Sequence, residues 1–129
     1  MRLWHQNLIL SLPRQQLLGQ HRECCALRGL GWLKKHATIN YIFDYPKYFL
    51  FLYHSLVMQE INNRTYKVDE LWKNPEYCGK QLKFQSIEVI SHCNNPIYLE
   101  HDSGYLSECI KNLKNKGIVI NLFDIILKE

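Results

Sequence analysis

Lys47 to Asn62 limits the possible folds of this chain more than any other stretch. Wound as a helix, it carries Tyr48, Phe49, Leu50, Phe51, Leu52, Tyr53, Leu56, Val57, Met58 and Ile61, apolar nearly all round. A helix with no broad polar face must be enclosed by other elements. Asp44-Tyr45-Pro46 opens it and Asn62-Asn63 closes it, so the chain is expected to wrap around a buried central helix. The run from Tyr48 to Met58 is broken by His54 and closed by Gln59 and Glu60, short of the ~18 apolar residues of a membrane span. Leu8-Ile9-Leu10, between Asn7 and Ser11, is too short for a secretory core. A soluble, cytoplasmic protein is the expectation.

The other segments suit a helical shell. With 129 residues the chain has the size of one domain, 1–129. Ser11-Leu12-Pro13 reads as a helix start, with Ser11 as N-cap and Pro13 in the first turn. This helix should run to Arg28 and stop at a left-handed Gly29. At 100° per residue Leu17, Leu18, Cys24 and Cys25 share one arc, while Gln15, Gly19, Arg22 and Ala26 lie opposite. Thr38 to Phe43 has strand-type residues and suggests a short extended segment. Asp69-Glu70-Leu71-Trp72 suggests one turn of helix ended by Asn74-Pro75. A third helix is expected over about 102–116, with Gly117 at its stop. Residues 76–100 carry no clear pattern, and the apolar tail Ile118 to Leu127 must be buried or paired. The expected fold is all-α: about three main helices in one compact domain, with long connecting loops.

Several chemistries drop out. Cys24, Cys25, Cys78, Cys93 and Cys109 are odd in number and form no CxxC pair, so they read as reduced thiols. His21, Glu23, Cys24 and Cys25, or His92 with Cys93, lack the spacing of metal ligands. Glycine-rich phosphate loops and the GxSxG nucleophile pattern are absent. Neither a metal nor a cofactor is expected.

Charge is distributed unevenly. Residues 1–48 contain Arg2, Arg14, Arg22, Arg28, Lys34, Lys35 and Lys47 against only Glu23 and Asp44. The remaining residues are close to neutral, so the positive excess marks the first third as a polyanion-binding face. Within it, Arg28-Gly29-Leu30-Gly31-Trp32-Leu33-Lys34-Lys35-His36 is a glycine-broken basic loop. Its lysines suit phosphates, and Trp32 suits stacking on bases. Glu23 is the lone carboxylate of the first 43 residues. An acid on a phosphate-binding face repels the ligand unless it has chemistry to do, such as proton transfer or stabilising a cation. The chain start offers a second reactive group. Arg2 is bulky and should leave Met1 in place, with a free α-amine. An α-amine titrates near 8 against ~10.4 for lysine, so at neutral pH it is the more available nucleophile for imine chemistry.

In combination these segments resemble the pyrimidine-dimer DNA glycosylase/AP-lyase family, in its bacterial branch. The resemblance is carried by Arg2 after the terminal residue, Gln15-x-Leu17, Arg22-Glu23, and Arg28-x-x-Gly31-x-x-Lys34-Lys35-His36. Tyr66-Lys67-Val68 and Asn74-Pro75-Glu76-Tyr77-x-Gly79 extend it to about residue 80. It implies an enzyme of DNA repair that cleaves the N-glycosidic bond and then the strand. The Met1 amine would attack C1′ with help from Arg2, and Glu23 would act as the catalytic acid. Gln15, Arg22, Arg28, Trp32, Lys34, Lys35 and His36 would hold double-stranded DNA around a flipped-out nucleotide, on a monomer. The other reading of the same residues is a non-catalytic duplex-binding module in which Glu23 is only an ion-pair partner.

Overall fold

The structure, a computed structural model, describes residues 1–121. Three α-helices form its frame: α1 (Arg14–Arg28), α2 (Lys47–Asn63) and α3 (Ser103–Asn115). A short 3-10 turn at Gln6–Ser11 precedes α1, and others at Asn40–Asp44 and Glu70–Lys73 lie in the connections between the helices. Among the described residues there is no strand, only an isolated antiparallel bridge between Tyr77 and Phe84. The fold is all-α, as expected. No helix is long and apolar enough to cross a membrane among these residues.

The central position of α2 follows from its composition. Phe49, Leu50, Tyr53, His54, Val57, Met58 and Ile61 are buried, a stripe with helical periodicity. Each large apolar side chain so enclosed stabilises the fold by about 1.5–3 kcal/mol. Leu17, Cys24 and Leu27 of α1 and Cys109 and Leu113 of α3 join the same core. Leu3, Leu8, Ile9 and Leu12 reach it from the N-terminal segment.

Local boundaries show where tertiary contacts overrule propensity. α1 begins at Arg14 with Pro13 as N-cap, because Ser11 is taken up by the preceding 3-10 turn. The expected Ser11 cap is therefore corrected. α1 does end at Gly29, but with φ −100°, not left-handed. Glycine is required there for space: a Cβ would lie 2.8 Å from the carbonyl oxygen of Cys78. The expected extended segment at Thr38–Phe43 is instead a 3-10 turn over Asn40–Asp44 that buries Ile42. Its β-type residues serve as core plugs, not as ladder partners.

The remaining boundaries fall within a residue or so of expectation. Asp69 caps the turn before Asn74-Pro75. The Asp102 side chain accepts from the Tyr105 N–H at the start of α3, and Gly117 adopts φ +83° at its stop. Residues 118–121 carry Ile118 and Ile120 against the core, while Val119 is exposed. The rest of the expected apolar tail lies outside the described residues.

Candidate active site

The first residues are tied down, although chain ends usually fray. Leu3 is wholly buried, and its carbonyl accepts from the Tyr105 hydroxyl of α3. Trp4 donates its N–H to Gln20 Oε1 at 2.7 Å, and its carbonyl accepts from the Tyr53 hydroxyl at 2.5 Å. Gln6 N–H donates to His101 Nδ1 at 3.0 Å. All three helices or their flanks thus hold the N-terminal strand of chain in place.

That anchoring brings Met1 to the rim of a cleft of about 280 Å³ lined by Met1, Arg2, Trp4, Glu23, Thr38, Asn112 and Lys116. Met1 is exposed, and its carbonyl accepts from the Thr38 hydroxyl. Glu23, on the flank of α1, is half-buried. Burial pushes its carboxyl above the usual range, while the N-terminal ammonium, the Arg2 backbone N–H, Lys116 and Arg22 pull it back down. Its Oε2 accepts from Gln20 Nε2 at 3.0 Å. An amine, an acid and surrounding cations therefore share one solvent-open cleft. Such a set suits proton transfer and the stabilising of a positive centre formed on a bound polyanion.

Arg2 is in the same cleft, but its guanidinium turns toward α3. It lies over the rings of Tyr105 and Trp4, at 5.6 and 6.0 Å, and pairs with Glu108 at 3.4 Å. Gln15, Arg22, Lys34, Lys35 and His36 are all exposed. Thr38 links this basic loop to the cleft, since its hydroxyl also meets His36 Nδ1 at 3.1 Å.

Two expected DNA contacts are placed differently. Arg28 is 1% exposed. Its Nη1 donates to the Trp72 carbonyl and His54 Nδ1, and its Nη2 to the Asn74 and Tyr77 carbonyls, all at 2.7–3.2 Å. With Phe51 and Trp72 stacked on it at about 5 Å, the guanidinium has no direction left for a phosphate. Arg28 staples α1 to the loop at 72–77. Trp32 is half-buried, edge-on to Phe43 at 5.1 Å with Lys47 Nζ over its ring. In this structure it packs against the core edge.

Sequence reasoning missed Gln20, Thr38, Asn112 and Lys116. Gln20 sits three residues before Glu23, on the same helix flank, a spacing that could have flagged it. Asn112 and Lys116 come from the far end of the chain, and nothing local ties them to residue 1.

Among the described residues one group of metal-type donors comes together, His21, Cys25 and His54, with ligand atoms within 4.8 Å of one another. The donor chemistry does not fit an ion. Arg28 is always protonated, so His54 Nδ1, 2.9 Å from its Nη1, must accept. The neutral ring then carries its proton on Nε2 and gives it to His21 Nδ1 at 2.8 Å, leaving no lone pair for a metal. Burial also pushes the Cys25 thiol up to about 12, away from the thiolate a metal needs. The trio is a hydrogen-bonded packing unit between α1 and α2.

An all-α protein with an amine-and-carboxylate cleft in a cationic face is, as a class, a candidate nucleic-acid-modifying enzyme. The family model for pyrimidine dimer DNA glycosylase matches residues 1–74. The chain belongs to that family, which makes it a DNA repair glycosylase by kinship, with DNA as its substrate. No curated protein and no solved structure matches it significantly.

Proposed function

We propose that this chain excises a damaged base from double-stranded DNA and then cuts the strand, as an N-glycosylase and AP lyase working through the α-amine of Met1. The unprotonated amine attacks C1′. The C1′–N bond breaks, its electron pair leaves with the base, and the base takes up a proton. The C1′–O4′ bond then opens, O4′ keeps the electron pair and takes one proton from the nitrogen, and a protonated imine joins Met1 to the sugar. Glu23 stabilises this protonated imine, then removes the C2′ proton; a C2′=C3′ double bond forms as the C3′–O bond breaks and the phosphate departs with its electron pair.

Arg2 supports Glu23 through its backbone N–H and forms the cleft wall with its side chain. Gln15, Arg22, Lys34, Lys35 and His36 form the exposed phosphate-holding rim. Arg28 and Trp32 shape that rim from behind. Because Asn112 and Lys116 complete the cleft from beyond the matched stretch, the whole of 1–129 is read as one domain. One copy supplies each of these groups, in keeping with a monomer.

The observation that carries this reading is the convergence of Met1, Arg2 and Glu23 on one cleft. Borohydride trapping on an abasic duplex tests it. The expected result is a covalent adduct at residue 1, located by peptide mass mapping. Glu23→Gln should bind the duplex at least as tightly as the parent but lose strand cleavage by at least a hundredfold, within the range of general acid–base effects. Binding without any adduct would make the protein a duplex-binding module and overturn the enzyme reading.

A further inference from the structure

Both N–H bonds and the carbonyl oxygen of the Gln20 side chain are engaged at 1% exposure. Its Nε2 donates to the Arg2 carbonyl and to Glu23 Oε2, both at 3.0 Å. Its Oε1 accepts from the Trp4 N–H at 2.7 Å and lies 3.0 Å from the Tyr53 hydroxyl. The amide orientation is fixed by these partners: two acceptors face the nitrogen, and the Trp4 N–H faces the oxygen.

We infer that Gln20 is the positioning residue of this site, one side chain that sets both where the Met1 amine lies and which way the Glu23 carboxylate faces. The inference rests on the amine-and-carboxylate reading above and extends it to a residue that acts through Glu23 and the terminal segment, not on the substrate. Three physical points support it. Arg2 and Trp4, on either side of buried Leu3, are gripped by the same amide, so the heading of the chain toward Met1 is set by Gln20. The same nitrogen holds one oxygen of Glu23, so amine and acid are referenced to a common point. Positioning of this kind matters because a misplacement of about 1 Å can cost on the order of a hundredfold in rate. The residue type is also selective. A carboxylate here would set two like charges against each other, and an apolar side chain would strand a buried carbonyl and N–H.

The wild-type chain gives a test that needs no substitution. In a pH titration followed by NMR, the Gln20 side-chain amide resonances should move with the midpoint of the Glu23 carboxyl. An amide indifferent to that midpoint would overturn the inference.

Gln20→Glu in the full chain gives the second test. The Glu23 midpoint should rise by at least one pH unit, and the acid limb of the trapping rate should rise with it. The maximal trapping rate should fall at least tenfold, while kcat falls more than KM changes. Gln20→Met, which adds no charge, should also slow trapping at least tenfold. It should bind a duplex carrying a tetrahydrofuran abasic analogue within threefold of the parent. Wild-type midpoint, limb and rate in folded variants would overturn the inference. If the wild-type chain itself traps nothing, the amine mechanism fails. The amide titration still reports whether Gln20 orients Glu23.

Discussion

Arg28 illustrates how burial reassigns a charged residue. Taking a guanidinium out of water is tolerable when protein acceptors and aromatic faces replace the water. Here four acceptors and two aromatic faces surround it. Removing it strands three backbone carbonyls and the His54 ring nitrogen. Arg28→Met is expected to lower stability by about 3–5 kcal/mol, measurable as a shift in the urea midpoint. The salt dependence of DNA binding by the folded fraction should stay as in the parent. Charge was legible in the sequence at this position, but direction was not. A basic residue at the end of a helix looks the same in a string of letters whether it faces phosphate or the protein's own carbonyls. Glu23 is the opposite case. Its isolation among cations marked it from the sequence, and the structure sets it beside the terminus.

At the scale of elements, buried histidines lie at the joints. His54 of α2 sits between Arg28 and His21 of α1, and burial beside that guanidinium drops its pKa to about 2. His101, ahead of α3, receives the Gln6 N–H and contacts the Tyr41 hydroxyl at 2.7 Å, and burial lowers it to about 3. Both rings are neutral when folded and titrate near 6.5 when unfolded, so the unfolded chain takes up more protons in acid. The stabilising effect is complete above about pH 6.5 and drains away as the pH falls toward the folded values. Between pH 7 and pH 5 each ring should cost about 2 kcal/mol of stability. Urea unfolding at several pH values checks this. His54→Gln with His101→Gln should flatten the profile in that window. Elements with caps and helical periodicity, such as α2 and α3, were legible beforehand. Thr38–Phe43 was not, since β-branched and aromatic residues plug a helical core as readily as they line a sheet.

For the whole molecule, the electrostatic argument concerns a surface. Lys116 lines the cleft from the end of α3 and, with Arg22, acts on Glu23, while Lys34 and Lys35 are exposed on the basic loop. Each phosphate neutralised should contribute about 0.9 to the slope of log affinity against log salt. Replacing Lys34 and Lys35 together with alanine should reduce that slope by nearly 2, read from duplex binding at four or five salt concentrations. An unchanged slope would remove the loop from the footprint.

The sequence by itself determined the helical class, the central helix, the basic first third, the lone acid and the kinship with DNA glycosylases. Those properties depend on composition and on periodicities of a few residues, which chain order preserves. Only the tertiary structure decided that Arg28 is a staple, that Trp32 packs on the core edge, that Gln20 joins the terminus to Glu23, and that Lys116 lines the cleft. Such roles depend on which atoms come within about 3 Å across tens of residues, and only the packing of the elements on one another sets those distances.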